Sequence, residues 1–143
     1  MHVKQISVFI ENQTGKLVDF TELLGREGID LIALSIADTT NFGILRCIVY
    51  DYERAAEIIN GAGYTARVTD VLAVSVPDRP GGMARAIRVL SDADISIEYL
   101  YSFVRNTKNN ALLIFRVEDL ERAEKALTDN GVTLLSQEQV KNL

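Results

Sequence analysis

Apolar and polar residues follow a pattern along the chain that occurs twice. A short run rich in β-branched residues opens each half, at 6–10 and at 71–76, and each run is typical of a strand. Apolar residues at helical spacing come next, namely Leu17, Phe20 and Leu24 in the first half and Met83, Ile87 and Leu90 in the second. Each half therefore begins with a predicted strand and a predicted helix.

The rest of each half continues in the same order. Two strands are predicted next, at 31–37 and 44–50 and again at 97–104 and 112–117, joined by polar loops at 38–43 and 105–110. A second helix follows, with Asp51 and Asp119 as predicted N-caps and Gly63 and Gly131 at its end. A last strand is predicted at 64–69 and at 132–135.

The two halves can be aligned residue by residue. Gly15 and Gly81 are 66 residues apart, and the same offset matches Gly28, a predicted helix-ending residue, with Asp94. After the hairpin loop the offset is 68, which matches Asp51 with Asp119. A repeated motif of this length indicates two copies of one structural unit.

The element order predicts the fold class. Right-handed crossovers in a βαββαβ unit give an antiparallel sheet, so we predict an α+β protein of two tandem ferredoxin-like units with the helices on one face. The predicted domains are 1–70 and 71–143. No Pro/Gly/Ser linker separates them, so we expect the two units to be held closely.

Composition excludes several function classes. A net charge of −5 lacks the basic surplus that nucleic acid requires, and no basic amphipathic or long apolar stretch predicts a membrane contact. The single cysteine, Cys47, predicts a buried apolar side chain, and the single histidine, His2, is a poor catalytic or metal candidate at an end that we expect to fray. We therefore expect a cytoplasmic protein that is not an enzyme and has no metal or cofactor.

A βαββαβ unit has several known uses, and most of them do not fit these residues. The first strands offer only Phe9 where an RNA-binding unit needs several aromatic residues. The first loops lack the Cys-x-x-Cys of a copper chaperone. An acylphosphatase-like hydrolase stays as a minor alternative because Arg79 lies in a first loop, although Pro80, Gly81 and Gly82 do not fit that family's loop. A ligand-binding regulatory unit fits best.

The first loop of each half resembles the signature of ACT domains. Residues 11–17 and 76–84 each combine an Asn or Asp at a strand end, a glycine at a helix start and an apolar residue. Residues 28–31 and 94–97 are similar to the family's entry to its second strand. The resemblance implies a free-standing tandem ACT protein that binds an amino acid or similar metabolite and regulates amino-acid metabolism.

The loop chemistry gives the same site without the family. A glycine lets the backbone approach a ligand, and the helix N-terminus offers unpaired N–H groups to a carboxylate. Asn12 or Asp78 can accept from an α-ammonium group. The simpler interpretation is a helix-entry turn. The candidate ligand-binding residues are Asn12, Gln13, Thr14, Gly15, Lys16 and Leu17, and Asp78, Arg79, Pro80, Gly81, Gly82 and Met83.

Two partner hypotheses follow from the sequence. Tyr99, Tyr101 and Phe103 alternate along a strand, so they predict either core packing or one side of a homodimer contact. The opening of the chain also resembles the ACT domain of the acetolactate synthase regulatory subunit. The alternative function is therefore a regulatory subunit that docks on a biosynthetic enzyme of that kind.

Overall fold

The computed structural model describes residues 1–38, 41–103 and 108–143. Parts of both predicted hairpin loops and Val104 of a predicted strand lie outside the described residues. The chain divides into two compact units. The first unit is Lys4–Thr69, and the second unit is Asp70–Leu143 together with Met1–Val3.

The strands and helices up to β7 occur in the predicted order along the chain. The strands are β1 Val3–Glu11, β2 Leu31–Asp38, β3 Phe42–Val49, β4 Thr65–Pro77, β5 Ile97–Ser102, β6 Asn110–Val117 and β7 Thr133–Leu135. The helices are α1 Lys16–Arg26, α2 Tyr52–Gly61, α3 Gly82–Asp92, α4 Leu120–Asp129 and α5 Gln137–Lys141. The α+β class with antiparallel strands and helices is confirmed.

The sheet order is the same in both units. The first unit has the order β2-β3-β1-β4, and the second has β5-β6-β4 with β7 paired to β4. The register pairs β1 with β3, β2 with β3, β4 with β6 and β5 with β6, all antiparallel. The predicted strands at 64–69 and 71–76 are one continuous strand, β4, because no turn residue separates them.

Each unit has its own apolar core. In the first unit, alternate residues of β1 and β3 pack against Phe20 and Leu24 of α1 and Ala55 and Ile59 of α2. In the second, Ala86 and Leu90 of α3 are buried with residues of β4, β6 and α4. The helical spacing was right in period but not in every position, since Leu17 is 44% exposed and Met83 is 43% exposed.

Polar contacts at the helix ends repeat between the units. The backbone N–H of Arg54 donates to Asp51 Oδ1 at 3.0 Å, and the N–H of Arg122 donates to Asp119 Oδ1 at 3.1 Å, which confirms both predicted N-caps. The Arg54 guanidinium also donates to the carbonyl oxygen of Glu27 at 2.8 Å, and Arg122 donates to that of Ala93. These arginines satisfy carbonyls at the ends of α1 and α3.

The surroundings of several side chains bear on the expectations made for them. Tyr101 and Phe103 are only 8% and 7% exposed within the chain itself, which favours packing over a contact with a second copy. His2 does not fray away, since its Nε2 lies 3.3 Å from Glu124 Oε2. Cys47 is fully buried as predicted, and desolvation by this burial raises the pKa of its thiol to about 12.

The short helix α5 was not predicted. Its N-cap Ser136 accepts from the backbone N–H of Gln139, and the Gln139 side chain accepts from the Ser136 N–H in return. This capping box is visible in the sequence as Ser-x-x-Gln, so the signal was available. None of the helices in the described residues has the length and apolar character that crossing a membrane would require.

Candidate ligand site at the first loops

The two candidate loops share one backbone geometry. Gly15 has φ 91° and Gly81 has φ 87°, so each occupies the left-handed region that favours glycine and begins a helix. Three residues earlier, the N–H of Asn12 donates to the carbonyl of Asn41 at 3.0 Å, and that of Asp78 donates to Asn109 at 3.0 Å. Each loop is therefore held against the β2–β3 or β5–β6 connection of its own unit.

The helix starts behind these loops offer free donors. Neither Gly15 nor Gly81 has a side-chain cap. Among the described residues, no acceptor is found for the N–H groups of Leu17 and Val18, or for those of Met83 and Ala84. Unpaired N–H groups at the positive end of a helix dipole can receive a carboxylate.

A small pocket adjoins the loop of the first unit. It has a volume of about 120 Å³, and its lining residues are Ile10, Glu11, Asn12, Gln13, Leu17, Ile36, Asp38 and Gly43. The structure thus brings together Asn12, Gln13 and Leu17 of the predicted set with the ends of β2 and β3. Thr14 and Gly15 are exposed and Lys16 is half-buried, and these three do not line the pocket.

The loop of the second unit is arranged differently. Asp78, Arg79, Pro80 and Gly81 are exposed. Gly82 is buried. The backbone of Pro77 packs so closely on it that a Cβ at this position would lie 2.0 Å from the Pro77 carbonyl oxygen. It lines a cavity of about 190 Å³ on the side of α3 that is next to β7, with Arg85, Ala86, Gly131 and Thr133 among the other lining residues. Of the predicted site residues, only Gly82 reaches this cavity.

The residues that complete the first-unit pocket were not among the predicted ones. Ile36, Asp38 and Gly43 come from the second and third strands, far from the loop in sequence. The available signal was weak: Asp38 stands at the end of a mostly apolar strand, and Gly43 stands near the start of another. The described residues contain no group of three or more His, Cys, Asp or Glu side chains placed to bind a metal ion.

A larger cavity lies elsewhere in the second unit. Its volume is about 670 Å³, and it is lined by His2, the segment before β5 and the start of α4, with Asp94, Glu118, Asp119, Glu121 and Arg122 as its other charged or titratable residues. No predicted ligand residue lines it.

In each unit a glycine-started helix follows the first strand, and the strands pair antiparallel. The chain matches the model of the ACT domain pair over residues 1–143, and it belongs to that family.

Solved structures agree with this membership. Protein BT0572 from Bacteroides thetaiotaomicron is 36% identical with a TM-score of 0.92, covering 100% of this chain and 98% of that one. The regulatory subunit of aspartate kinase from Thermus thermophilus, in a ligand-free form, is 18% identical with a TM-score of 0.66, covering 91% and 93%. The corresponding subunit from Thermus flavus is 18% identical with a TM-score of 0.61, covering 88% and 90%. The last two show a shared fold. No curated protein matches the chain.

Proposed function

We propose that this chain is a non-catalytic sensor of a free amino acid or similar small metabolite, built from two tandem ferredoxin-like ACT domains at 1–70 and 71–143. The observation that carries the proposal is the pocket between the loop at 12–17 and the ends of β2 and β3 in the first unit. Its volume is below the ~300–1,000 Å³ of pockets for drug-sized ligands. A ligand of amino-acid size suits it.

The residues around the pocket suit the two charged ends of an amino acid. The N–H groups of Leu17 and Val18 would receive the α-carboxylate, since they have no acceptor in the described chain. Asn12 lines the pocket, and its side-chain oxygen would accept from the α-ammonium group. Ile10, Leu17 and Ile36 offer apolar contact for the ligand's carbon atoms.

The first unit is the better candidate of the two. Its loop contributes three of the predicted residues to one pocket, whereas the loop of the second unit contributes Gly82 alone to a cavity on a different side of the helix. We therefore propose Asn12, Gln13 and Leu17 as ligand contacts. The loop at 78–83 stays a second candidate with the same backbone but fewer converging side chains.

Gly43 provides a clean test of this pocket. A Cβ at Gly43 would lie 3.6 Å from Ile36 Cγ2, an ordinary contact distance, so Gly43→Ala reduces the pocket without a clash. Gly15→Val is less informative, because a β-branched residue at φ 91° strains the loop itself. Gly25→Ala is the matched control, since a Cβ there meets nothing within 4 Å and Gly25 does not line the pocket.

The experiment is a thermal-shift screen of the full chain against the twenty amino acids at millimolar concentration. A ligand at 100 times its Kd stabilises the folded chain by about 2.7 kcal/mol. We expect one or a few amino acids to raise the melting temperature, with the shift lost in Gly43→Ala and kept in Gly25→Ala. If no amino acid raises the melting temperature of the unsubstituted chain, the sensor proposal is wrong.

A second candidate function is a regulatory subunit that docks on a biosynthetic enzyme. The fold similarity to proteins named as regulatory subunits of aspartate kinase supports this class, and acetolactate synthase is the other enzyme that the opening of the chain suggests. A cytoplasmic homodimer is part of the same proposal. Size-exclusion chromatography with light scattering, alone and with a purified candidate enzyme, separates a free dimer from a docked subunit.

A further inference from the structure

The pocket of the first unit owes its shape to one row across the sheet. The register pairs Gly43 of β3 with Ile10 of β1 on one side and with Asp38 of β2 on the other. Two residues further along β3, Leu45 packs in the core with α1 and α2, so Gly43 lies on the same face. Because Gly43 has no side chain, a gap is left between Ile10 and Asp38.

Asp38 is the polar exception on this face of β2. Two residues earlier on the same face is Ile36, which is paired with Leu45 and lines the same pocket. The residues that line the pocket include Asp38 and Glu11 but no lysine or arginine. Within the described chain, neither carboxylate forms an ion pair with another side chain.

The second repeat serves as an internal comparison at the level of sequence. At the matched offsets, Val104 stands where Asp38 does, and Ala111 stands where Gly43 does. Pro77 takes the position of Glu11. Both carboxylates and the glycine are therefore specific to the first repeat, although the glycine-started loop is common to both.

We infer that Asp38 determines the ligand specificity of the first-unit pocket, favouring small amino acids whose aliphatic side chain ends in an amine. This inference rests on the proposed function, in which the helix start and Asn12 hold the two α-groups. The aliphatic stem packs on Ile10 and Ile36, and the side-chain ammonium donates to the Asp38 carboxylate. A side chain that ends in a carboxylate meets like charge and is rejected.

Glu11 has a smaller part in this selectivity. It pairs with Phe42 and is adjacent to Ile10 in sequence, so its side chain belongs to the opposite face of the sheet. Glu11 and Asp38 are both exposed, so the smaller part of Glu11 follows from the direction of its side chain, which keeps its charge further from the ligand.

The experiment is calorimetric titration of the full chain with three probes of similar size, L-ornithine, L-norvaline and L-glutamate. We expect L-ornithine to bind most tightly and L-glutamate most weakly. Asp38→Asn should weaken L-ornithine binding about tenfold and leave L-norvaline unchanged, since it removes one charge-assisted hydrogen bond. Glu11→Gln should weaken L-ornithine roughly threefold. Glu57→Gln, an exposed change on α2, is the control for net charge.

The outcomes separate the inference from the function. If Asp38→Asn leaves the order and ratio of the three affinities unchanged, Asp38 does not set specificity, while the sensor proposal stands. If the chain binds other amino acids but none of these three probes, the inference about Asp38 is likewise overturned and the sensor proposal stands. If no amino acid binds at all, both the proposed function and the inference are overturned.

Discussion

Asp94 holds a backbone conformation that residues other than glycine rarely adopt. Its φ is 57°, and its counterpart in the first repeat, Gly28, has φ 69°. In both units the next residue donates its N–H back to the preceding helix at 2.9 Å. The two helix ends therefore have the same geometry with different residues, so that exchanging the residues tests the cost of the conformation.

The size of the effect follows from the conformation. The left-handed region costs an L-residue about 1–2 kcal/mol, with aspartate at the tolerant end, and glycine loses part of this advantage through its larger entropy in the unfolded chain. We expect Asp94→Gly to raise the free energy of unfolding by about 0.5–1 kcal/mol. Gly28→Asp should lower the free energy of unfolding by a similar amount, because the residue must keep the left-handed conformation. A Cβ at Gly28 would meet nothing within 4 Å, so no clash adds to this cost.

The charge of Asp94 must be separated from its backbone. Asp94 lines a cavity together with Glu118, Asp119, Glu121 and Arg122, so removing its carboxylate also changes the local balance of charge. Asp94→Asn removes the charge and keeps a side chain that tolerates the left-handed region. The difference between Asp94→Gly and Asp94→Asn is therefore the backbone contribution.

The assay is urea unfolding of the full chain followed by circular dichroism, with thermal melts in parallel. One kcal/mol corresponds to roughly 2–4 °C in the melting temperature of a chain of this size. The reasoning is refuted if Asp94→Gly is no more stable than Asp94→Asn, or if Gly28→Asp is as stable as the unsubstituted chain.

Three further predictions concern single side chains. Gly82→Ala should lower the free energy of unfolding by about 1–3 kcal/mol, because its Cβ would lie 2.0 Å from the Pro77 carbonyl oxygen. Gly61→Ala, whose Cβ would meet nothing within 4 Å, should be neutral or stabilising. Equal melting temperatures of the two variants would contradict this. Asp119→Ala should cost about 0.5–2 kcal/mol in urea unfolding by removing the N-cap, and a smaller loss in Asp119→Asn is the check. Burial raises the pKa of the Cys47 thiol from 9.0 to about 12, so the thiol should resist iodoacetamide at pH 8 in the folded chain. The stability of the fold should fall as pH rises from 9 towards 12, since in that range the thiol ionises only in the unfolded state. Rapid alkylation of the native chain would show that the thiol is accessible.

Much of the fold was readable from local patterns. β-Branched runs, helical spacing and the N-cap residues Asp51 and Asp119 act over a few residues, so the order of the elements and both caps were predicted correctly. Leu17 and Met83 continue the apolar period but lie exposed at the helix starts. The period fixes the direction of a side chain, and burial depends on what lies opposite it.

The candidate site divides in the same way. Sequence alone predicted the two loops, because a glycine after a strand and before a helix permits a left-handed turn, and Gly15 and Gly81 both adopt one. Only the tertiary structure decided which of the two loops lines a neighbouring pocket with several of its own residues. That choice depends on the pairing of β1, β2 and β3, which places Asp38 and Gly43 beside a loop more than twenty residues earlier in the sequence. Cross-strand register is a long-range property, and no local pattern in one strand specifies its neighbour across the sheet.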